Sequence, residues 1–271
     1  MRMVLLGIVG AKTPMGKLAL EWLQEHADEY KVIFSVDCND KPRKSTFSDL
    51  EDALLAQTPT LVLDFGEPKT AFERIKTYRY YFVPAVMYAP ALTKEQLSQL
   101  QALCLASSRS TPSLIIENEL SLSHVLLQEQ LMQALRAFVS QVMYVKIYLK
   151  DTTANYLERY KPLLECINRQ LNVRESDRKM KRHGNQIECG RALVYVVSLS
   201  DDKTSVNEEM KVEILLDQGL DVLPLTYCFP NHRKTIGQGL EKILTYLLTR
   251  LSIVNGELEV DLLAQLVRQS Y

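Results

Sequence analysis

The sequence predicts an α/β protein: a doubly wound parallel sheet, followed by a mostly antiparallel sheet and a returning helix. Three observations predict it. Short apolar runs alternate with helix-period segments through the first 121 residues, a glycine-bearing turn joins the first run to the first helix, and the middle of the chain carries strands in succession without crossover helices. Met3 to Val9 reads as the first strand, and Leu18, Leu20, Trp22 and Leu23 as the apolar side of a helix whose Lys17 and Glu21 face water. Lys31 to Val36, Leu61 to Phe65, Val83 to Met87 and Leu114 to Ile116 are the next strands. Between them, Pro68 starts a helix carrying Phe72, Ile75 and Tyr78, and Thr93 caps one carrying Leu97, Leu100 and Leu103. Leu122 to Val139 is a long apolar helix. Val142 to Leu149, Ala192 to Leu199, Met210 to Leu216 and Asp221 to Phe229 then read as a mostly antiparallel sheet, with a helix near Lys161 placed by Pro162. Gly239 to Leu251 returns to helix. The expected domains are residues 1–121 with 236–271, and 122–235.

Composition narrows the function. With 32 basic against 33 acidic residues in 271, the chain lacks the electrostatic footprint of a nucleic-acid binder. No apolar run approaches the roughly 18 residues of a membrane span, and no cleavage site follows Met1 to Leu6, so a cytoplasmic protein with a small-molecule partner is expected. Cys38, Cys104, Cys166, Cys189 and Cys228 are scattered, without CxxC or Cys/His clusters, and read as core residues rather than metal ligands. His26, His124, His183 and His232 do not pair with a Ser or Cys nucleophile at a recognisable spacing. The basic stretch from Arg174 to Arg191 reads as a solvated, mobile loop.

The turn after the first strand carries the chemistry. In Gly7-Ile-Val-Gly10-Ala-Lys-Thr-Pro-Met-Gly16, Gly10 and Gly16 stand where a dinucleotide turn needs a tight bend and a close helix-to-strand contact. Thr13 occupies the middle glycine position, and Pro14 removes one donor. Asp37 ends the second strand, where a carboxylate accepts ribose hydroxyls. Gly10, Ala11, Thr13, Pro14, Met15, Gly16 and Asp37 are therefore the candidate cofactor site. Lys41, Arg43 and Lys44 suit either a 2′-phosphate or a solvated loop, so NADPH and NADH both stay open. Gly10→Asp is expected to abolish nucleotide affinity at little cost in stability.

Several segments together resemble the 4-hydroxy-tetrahydrodipicolinate (dihydrodipicolinate) reductases. Val9-Gly10-Ala11 with Met15-Gly16 is similar to that family's opening loop, and Val62-Leu-Asp-Phe65 with Pro68 to its VIDFT-x-P strand and helix start. Ala91 to Leu97 resembles its GLSEEQL cap, Arg233 to Leu240 its arginine-led returning helix, and Gly256 to Leu263 its closing GLYDMxDVL. Asn118 sits where the family has the Asn of APNFS. The resemblance implies a Rossmann-type domain closed by its own C-terminal helix, an inserted α+β substrate and oligomerisation domain through which a homotetramer forms, and NAD(P)H-dependent reduction of a cyclic dicarboxylate in diaminopimelate and lysine synthesis. It also places Asn118 and Arg233 at the cofactor.

The departures fall on the reacting end. The family's His-His-x-x-x-Lys run and Ser-Gly-Thr are here Lys150-Asp-Thr152-Thr153-Ala, leaving Lys150 as the candidate catalytic cation and Thr152 and Thr153 as substrate-binding hydroxyls. Its Gly-Thr-Thr-Gly becomes Tyr88-Ala-Pro-Ala91. Glu117 and Glu119 flank Asn118 and bring carboxylates toward a site expected to take an anion. Two readings follow: a reductase with relocated proton delivery, or a member without activity that serves as a scaffold or ligand-responsive interaction protein.

Overall fold

A computed structural model describes residues 3–37, 46–89, 94–105, 113–117, 119–150, 156–183, 186–196, 208–216, 222–229, 232–250 and 258–269. The chain divides into two compact units, residues 1–122 with 233–271, and residues 123–232. The first unit opens with β1 (Val4–Val9), α1 (Pro14–Glu25), β2 (Tyr30–Val36), β3 (Thr46–Phe47), α2 (Leu50–Ala56), β4 (Leu61–Asp64), α3 (Ala71–Tyr80), β5 (Ala85–Tyr88), α4 (Lys94–Leu105) and β6 (Leu114–Glu117). The second runs through α5 (Leu122–Ala137), β7 (Tyr144–Lys150), α6 (Tyr156–Gln170), β8 (Met180–His183), β9 (Gln186–Cys189), β10 (Ala192–Val196), β11 (Glu208–Leu215) and β12 (Val222–Phe229). The chain then re-enters the first with α7 (His232–Arg250), β13 (Leu258–Val260) and α8 (Leu262–Gln269).

The first unit is a parallel sheet in the order β13-β6-β5-β4-β1-β2-β3. Its central strands are buried on both faces, as crossover helices require, and every residue of β4 is buried. Thr13 caps α1 and Pro14 takes its first helical position, where a missing amide costs nothing. Trp22 and Leu23 bury the inner face of that helix. In this unit β3, α2, β13 and α8 escape the periodicity reading. β3 is too short to show a period, and α2 is announced only by Asp49, whose Oδ1 accepts from Glu51 N at 2.8 Å and Asp52 N at 3.2 Å.

The second unit is a six-stranded sheet in the order β12-β11-β7-β10-β9-β8, with Val145, Ile147, Val194, Val212 and Ile214 packed against Leu131, Leu135, Leu164 and Ile167. It is antiparallel except where β10 lies parallel to β7. The basic stretch expected to be a mobile loop instead holds a short 3₁₀ turn and the β8–β9 hairpin. Arg178 anchors it by donating to Val173 O from Nε at 2.8 Å and Nη2 at 2.6 Å. α6 starts at Tyr156, ahead of the start expected near Lys161, since an internal proline withdraws only one amide. α7 starts at His232, not at Gly239. The glycines inside it serve close packing: a Cβ on Gly237 would strike the Trp22 indole, and one on Gly239 the Leu120 carbonyl oxygen. No described helix is long and apolar enough to cross a membrane.

Two buried carboxylates tie the first unit together. Asp64, 0% exposed at the end of β4, accepts from Arg74 Nε and Tyr78 Oη, each at 2.7 Å, and from Gly66 N at 2.8 Å. Arg74 and Tyr78 are four apart on α3, so one face delivers both donors to one carboxylate. Burial alone would lower the Arg74 guanidinium; Asp64, with Tyr78, outweighs it and holds it above its ordinary value. The Tyr78 hydroxyl is pushed well up, chiefly by burial. At the end of β6, Glu117 is 1% exposed and its Oε1 accepts from Leu263 N at 3.0 Å, so a carboxyl from mid-chain caps the first turn of the C-terminal α8. Burial raises it from 4.5 to about 8, against the pull of the Leu263 and Leu262 amides.

Asp64→Ala is expected to strand the Arg74 cation and lower unfolding stability by about 3–5 kcal/mol in urea titrations, with Asp64→Leu/Arg74→Leu recovering most of the loss. A drop near zero for Asp64→Ala would show that the pair is not holding α3. For Glu117, the fold favours the protonated carboxyl. Its stabilisation is full below about pH 4.5 and is lost as pH rises toward 8, at up to about 1.4 kcal/mol per pH unit. Melting temperature should therefore fall across that window, and Glu117→Gln should flatten this part of the profile. An unchanged slope in the variant would place the pH dependence elsewhere.

Candidate functional site

Open parallel sheets bind ligands at the carboxyl ends of their strands where the strand order reverses. In this sheet the chain runs outward through β2 and β3 on one side of β1, and through β4, β5 and β6 on the other, so the reversal falls between β1 and β4. The turn at Gly10 to Thr13 lies there. Gly10 sits at φ 72°, and a Cβ on it would meet the Phe65 carbonyl oxygen at 2.5 Å and Gly66 N at 2.7 Å. A Cβ on Gly16 would run into the Gly10 carbonyl oxygen. Backbone bonds fix the approach, Gly10 N to Val36 O at 2.9 Å and Phe65 N to Val9 O at 2.8 Å. The expectation that Gly10→Asp leaves stability intact is therefore wrong: the side chain would have to displace the backbone after β4 and adopt a conformation L-residues resist.

Thr13 locks the turn from inside. Its hydroxyl donates to Gly10 O at 2.8 Å and accepts from Gly16 N at 3.0 Å, while Thr13 N bonds Gly10 O at 3.0 Å. Helix geometry leaves the first amides of α1 without internal acceptors. Pro14 has none, Gly16 N is spent on Thr13, and Met15 N remains to face a ligand along the helix axis. Ala11 is buried and Pro14 exposed.

Asp37 follows β2 and is half-buried. Its amide bonds Phe47 O at 3.0 Å and its Oδ1 accepts from Lys12 N at 3.3 Å, which brings the carboxylate against the turn. Its Oδ2 is buried and has no partner. A buried carboxylate oxygen left unbonded is costly, and it could accept from the hydroxyls of a ribose. Gly10, Gly16, Thr13, Met15 and Asp37 thus fit an adenine dinucleotide. Lys41, Arg43 and Lys44 lie outside the described residues.

The structure gathers Gly10, Ala11, Thr13, Pro14, Met15, Gly16 and Asp37 around one turn of the first unit. Lys150 ends β7 of the second unit, its backbone opposite Glu209 of β11, and Arg233 is the second residue of α7; the side chains of both lie outside the described residues. So do Asn118, Thr152 and Thr153. The carboxylates expected to face the substrate are turned to helix ends instead. Glu117 caps α8, and Glu119 Oε1 accepts from Ser121 N at 2.8 Å, just ahead of α5. Tyr88 ends β5 half-buried, opposite Glu117. His26 closes α1, stacked on Trp22 with Nδ1 2.9 Å from Trp22 O, a structural role. Among the described residues no His, Cys, Asp and Glu cluster suits a metal.

One supporting group goes unread in the sequence. Arg74 bonds Glu67 O at 3.0 Å and the Thr70 hydroxyl, and a Cβ on Gly66 would meet its guanidinium carbon at 2.8 Å. It therefore holds the Phe65–Gly66 backbone on which Gly10 leans. A strand-end Asp followed ten and fourteen residues later by Arg and Tyr, four apart on a helix, is the signal that would have found it.

No protein-family profile matches the chain. It is 31% identical over 74 residues, 27% of its own length, to a dihydrodipicolinate reductase-like protein of Arabidopsis thaliana described as chloroplastic, and that stretch spans about a quarter of the relative. Its fold matches dihydrodipicolinate reductase from Paenisporosarcina, solved with bound dipicolinate, at a TM-score of 0.66 and 17% identity, over 97% of this chain and 99% of that one. An oxidoreductase from Agrobacterium radiobacter in complex with NAD+ and L-tartaric acid matches at 0.54 with 10% identity, over 93% of this chain and 89% of that one. The chain is thus similar in sequence to a dihydrodipicolinate reductase-like protein over one 74-residue stretch, and in fold to a dihydrodipicolinate reductase over nearly its whole length.

Proposed function

We propose that the first unit binds NADPH or NADH at the Gly10–Gly16 turn, and that the chain is a reductase of the dihydrodipicolinate type acting on a small unsaturated dicarboxylate, 4-hydroxy-tetrahydrodipicolinate by resemblance. The observation that carries the reading is Asp37, whose Oδ2 is buried, unpartnered and held against that turn. Bound there, the nicotinamide supplies hydride. Asp37 accepts from ribose hydroxyls, Met15 N meets the pyrophosphate, and Arg74 keeps the loop after β4 in register beneath it. By the same resemblance, Lys150, Thr152 and Thr153 would hold and protonate the substrate, and Asn118 and Arg233 would contact the cofactor. Homotetramer formation uses the sheet face opposite the helices, where Tyr148 and Tyr195 stack at 5.1 Å beside exposed Tyr144.

A second reading has its own support. The segment after β7 carries no His, and Glu117 is committed to α8. Losing a catalytic unit costs orders of magnitude in rate, so a nucleotide-responsive protein without turnover is the alternative.

Fluorescence titration of the full chain with NADH and NADPH tests the cofactor site. Saturable micromolar binding is expected, weakened roughly tenfold or more by Asp37→Ala, because hydrogen bonds to a charged group are worth about 1.5–3 kcal/mol. Binding with dicarboxylate-dependent oxidation of the cofactor supports the reductase. Binding without turnover selects the second reading, and absence of binding by both dinucleotides overturns both.

A further inference from the structure

NADH and NADPH differ at one position of the adenine-side ribose, where the first carries a 2′-hydroxyl and the second a 2′-phosphate. A hydroxyl donates to a carboxylate, whereas a phosphate brings about −1.5 to −2 charge near pH 7 and acceptor oxygens alone. The side chain that follows β2 is Asp37, whose Oδ2 is buried without a partner. That oxygen lacks a donor, and it carries the charge a phosphate avoids.

Asp37 is held where it stands. Its amide bonds Phe47 O at 3.0 Å and its Oδ1 accepts from Lys12 N at 3.3 Å, so β3 fixes the backbone and the turn after β1 fixes the carboxylate. β3 is pinned in turn: Phe47 pairs with Val36, and its ring meets the fully buried Phe34 edge to face at 6.2 Å. A carboxylate on a loose loop swings aside for a phosphate; one bonded from two sides does not.

The helix after β3 offers a phosphate no better welcome. Unspent amides at a helix start are a ready cradle for phosphate. In α2 the cap residue Asp49, two residues past Phe47, takes two of them, from Glu51 N at 2.8 Å and Asp52 N at 3.2 Å, and Glu51 and Asp52 stand in the first turn. From Asp37 to the end of α2, every charged side chain among the described residues is a carboxylate.

We propose that the turn site selects NADH over NADPH and that Asp37 is the selecting residue. Its Oδ2 accepts from the 2′-hydroxyl, and its fixed charge, next to the acidic start of α2, rejects the 2′-phosphate. The proposal rests on the dinucleotide reading above and narrows it to one cofactor.

The test is calorimetric titration of the full chain with NADH, NADPH, ADP-ribose and 2′-phospho-ADP-ribose. The second pair lacks nicotinamide and so reports on the ribose end alone. NADH should bind roughly tenfold or more tighter than NADPH, with a gap of the same sign between the ADP-riboses. Asp37→Asn keeps an oxygen for Lys12 N and removes the charge, so it should weaken NADH, leave NADPH equal or tighter, and close the gap. Lys41→Ala/Arg43→Ala/Lys44→Ala should leave the gap in place. Equal binding of NADH and NADPH, a gap that survives Asp37→Asn, or NADPH weakening in step with NADH in that variant overturns the selection while the dinucleotide site stands. So does a preference for NADPH that the triple variant abolishes, which would give the 2′ position to the basic stretch. Absence of binding by all four ligands is a separate outcome: it removes the dinucleotide site itself, and this proposal with it.

Discussion

The first unit rests on a place where three stretches of backbone touch with no side chain between them. The turn after β1 presses on the backbone after β4, and α1 presses on the turn, so that Gly10 and Gly16 each stand where a Cβ would meet main-chain atoms. Main chain does not yield as a side chain does, and the close approach fixes the turn relative to both strands flanking β1. The two carboxylates beside it complete the arrangement in different ways. Asp64 is dry and satisfied, bonded to Gly66, Arg74 and Tyr78, and anchors the β4 side. Asp37 anchors the β2 side through Lys12 N with one oxygen and keeps the other unbonded. The crevice thus has a structural wall and a wall with bonding capacity left over.

Much of the architecture was legible because parallel strands buried on both faces read as apolar runs, and the crossover helices show their own period. What local pattern hides is partnership. β10 alternates like any strand in this sheet, yet its parallel pairing with β7 follows from where α6 returns the chain. The basic stretch before Cys189 looked solvated because lysines and arginines are mostly wet, but alternate residues of a hairpin in an open sheet are wet too. The sequence places the start of the returning helix at Gly239, whereas Gly237 and Gly239 lie inside α7 and let Trp22 and Leu120 approach it closely. Glu117 is the sharpest case. A carboxylate one residue from the position of a cofactor-facing Asn reads as an intruder in an anion site, while its partner, Leu263, lies 146 residues further on.

The glycine turn and the acidic residue therefore do not carry equal weight in an argument about function. Gly10 and Gly16 are demanded by backbone contacts within the fold, so a chain that had abandoned its ligand would still need them. Thr13 points the same way: by capping α1 it spends on the protein an amide that a phosphate would otherwise use, and it steadies the turn whether or not anything binds. Pro14 likewise suits the helix and offers a ligand nothing. The part of the motif with no structural employment is the second oxygen of Asp37. A fold without a ligand gains by losing an unsatisfied buried oxygen, since an apolar or amide side chain there removes a desolvation penalty at small cost to the bond with Lys12. The nucleotide reading thus stands on that atom, and the fold accounts for the glycines by itself.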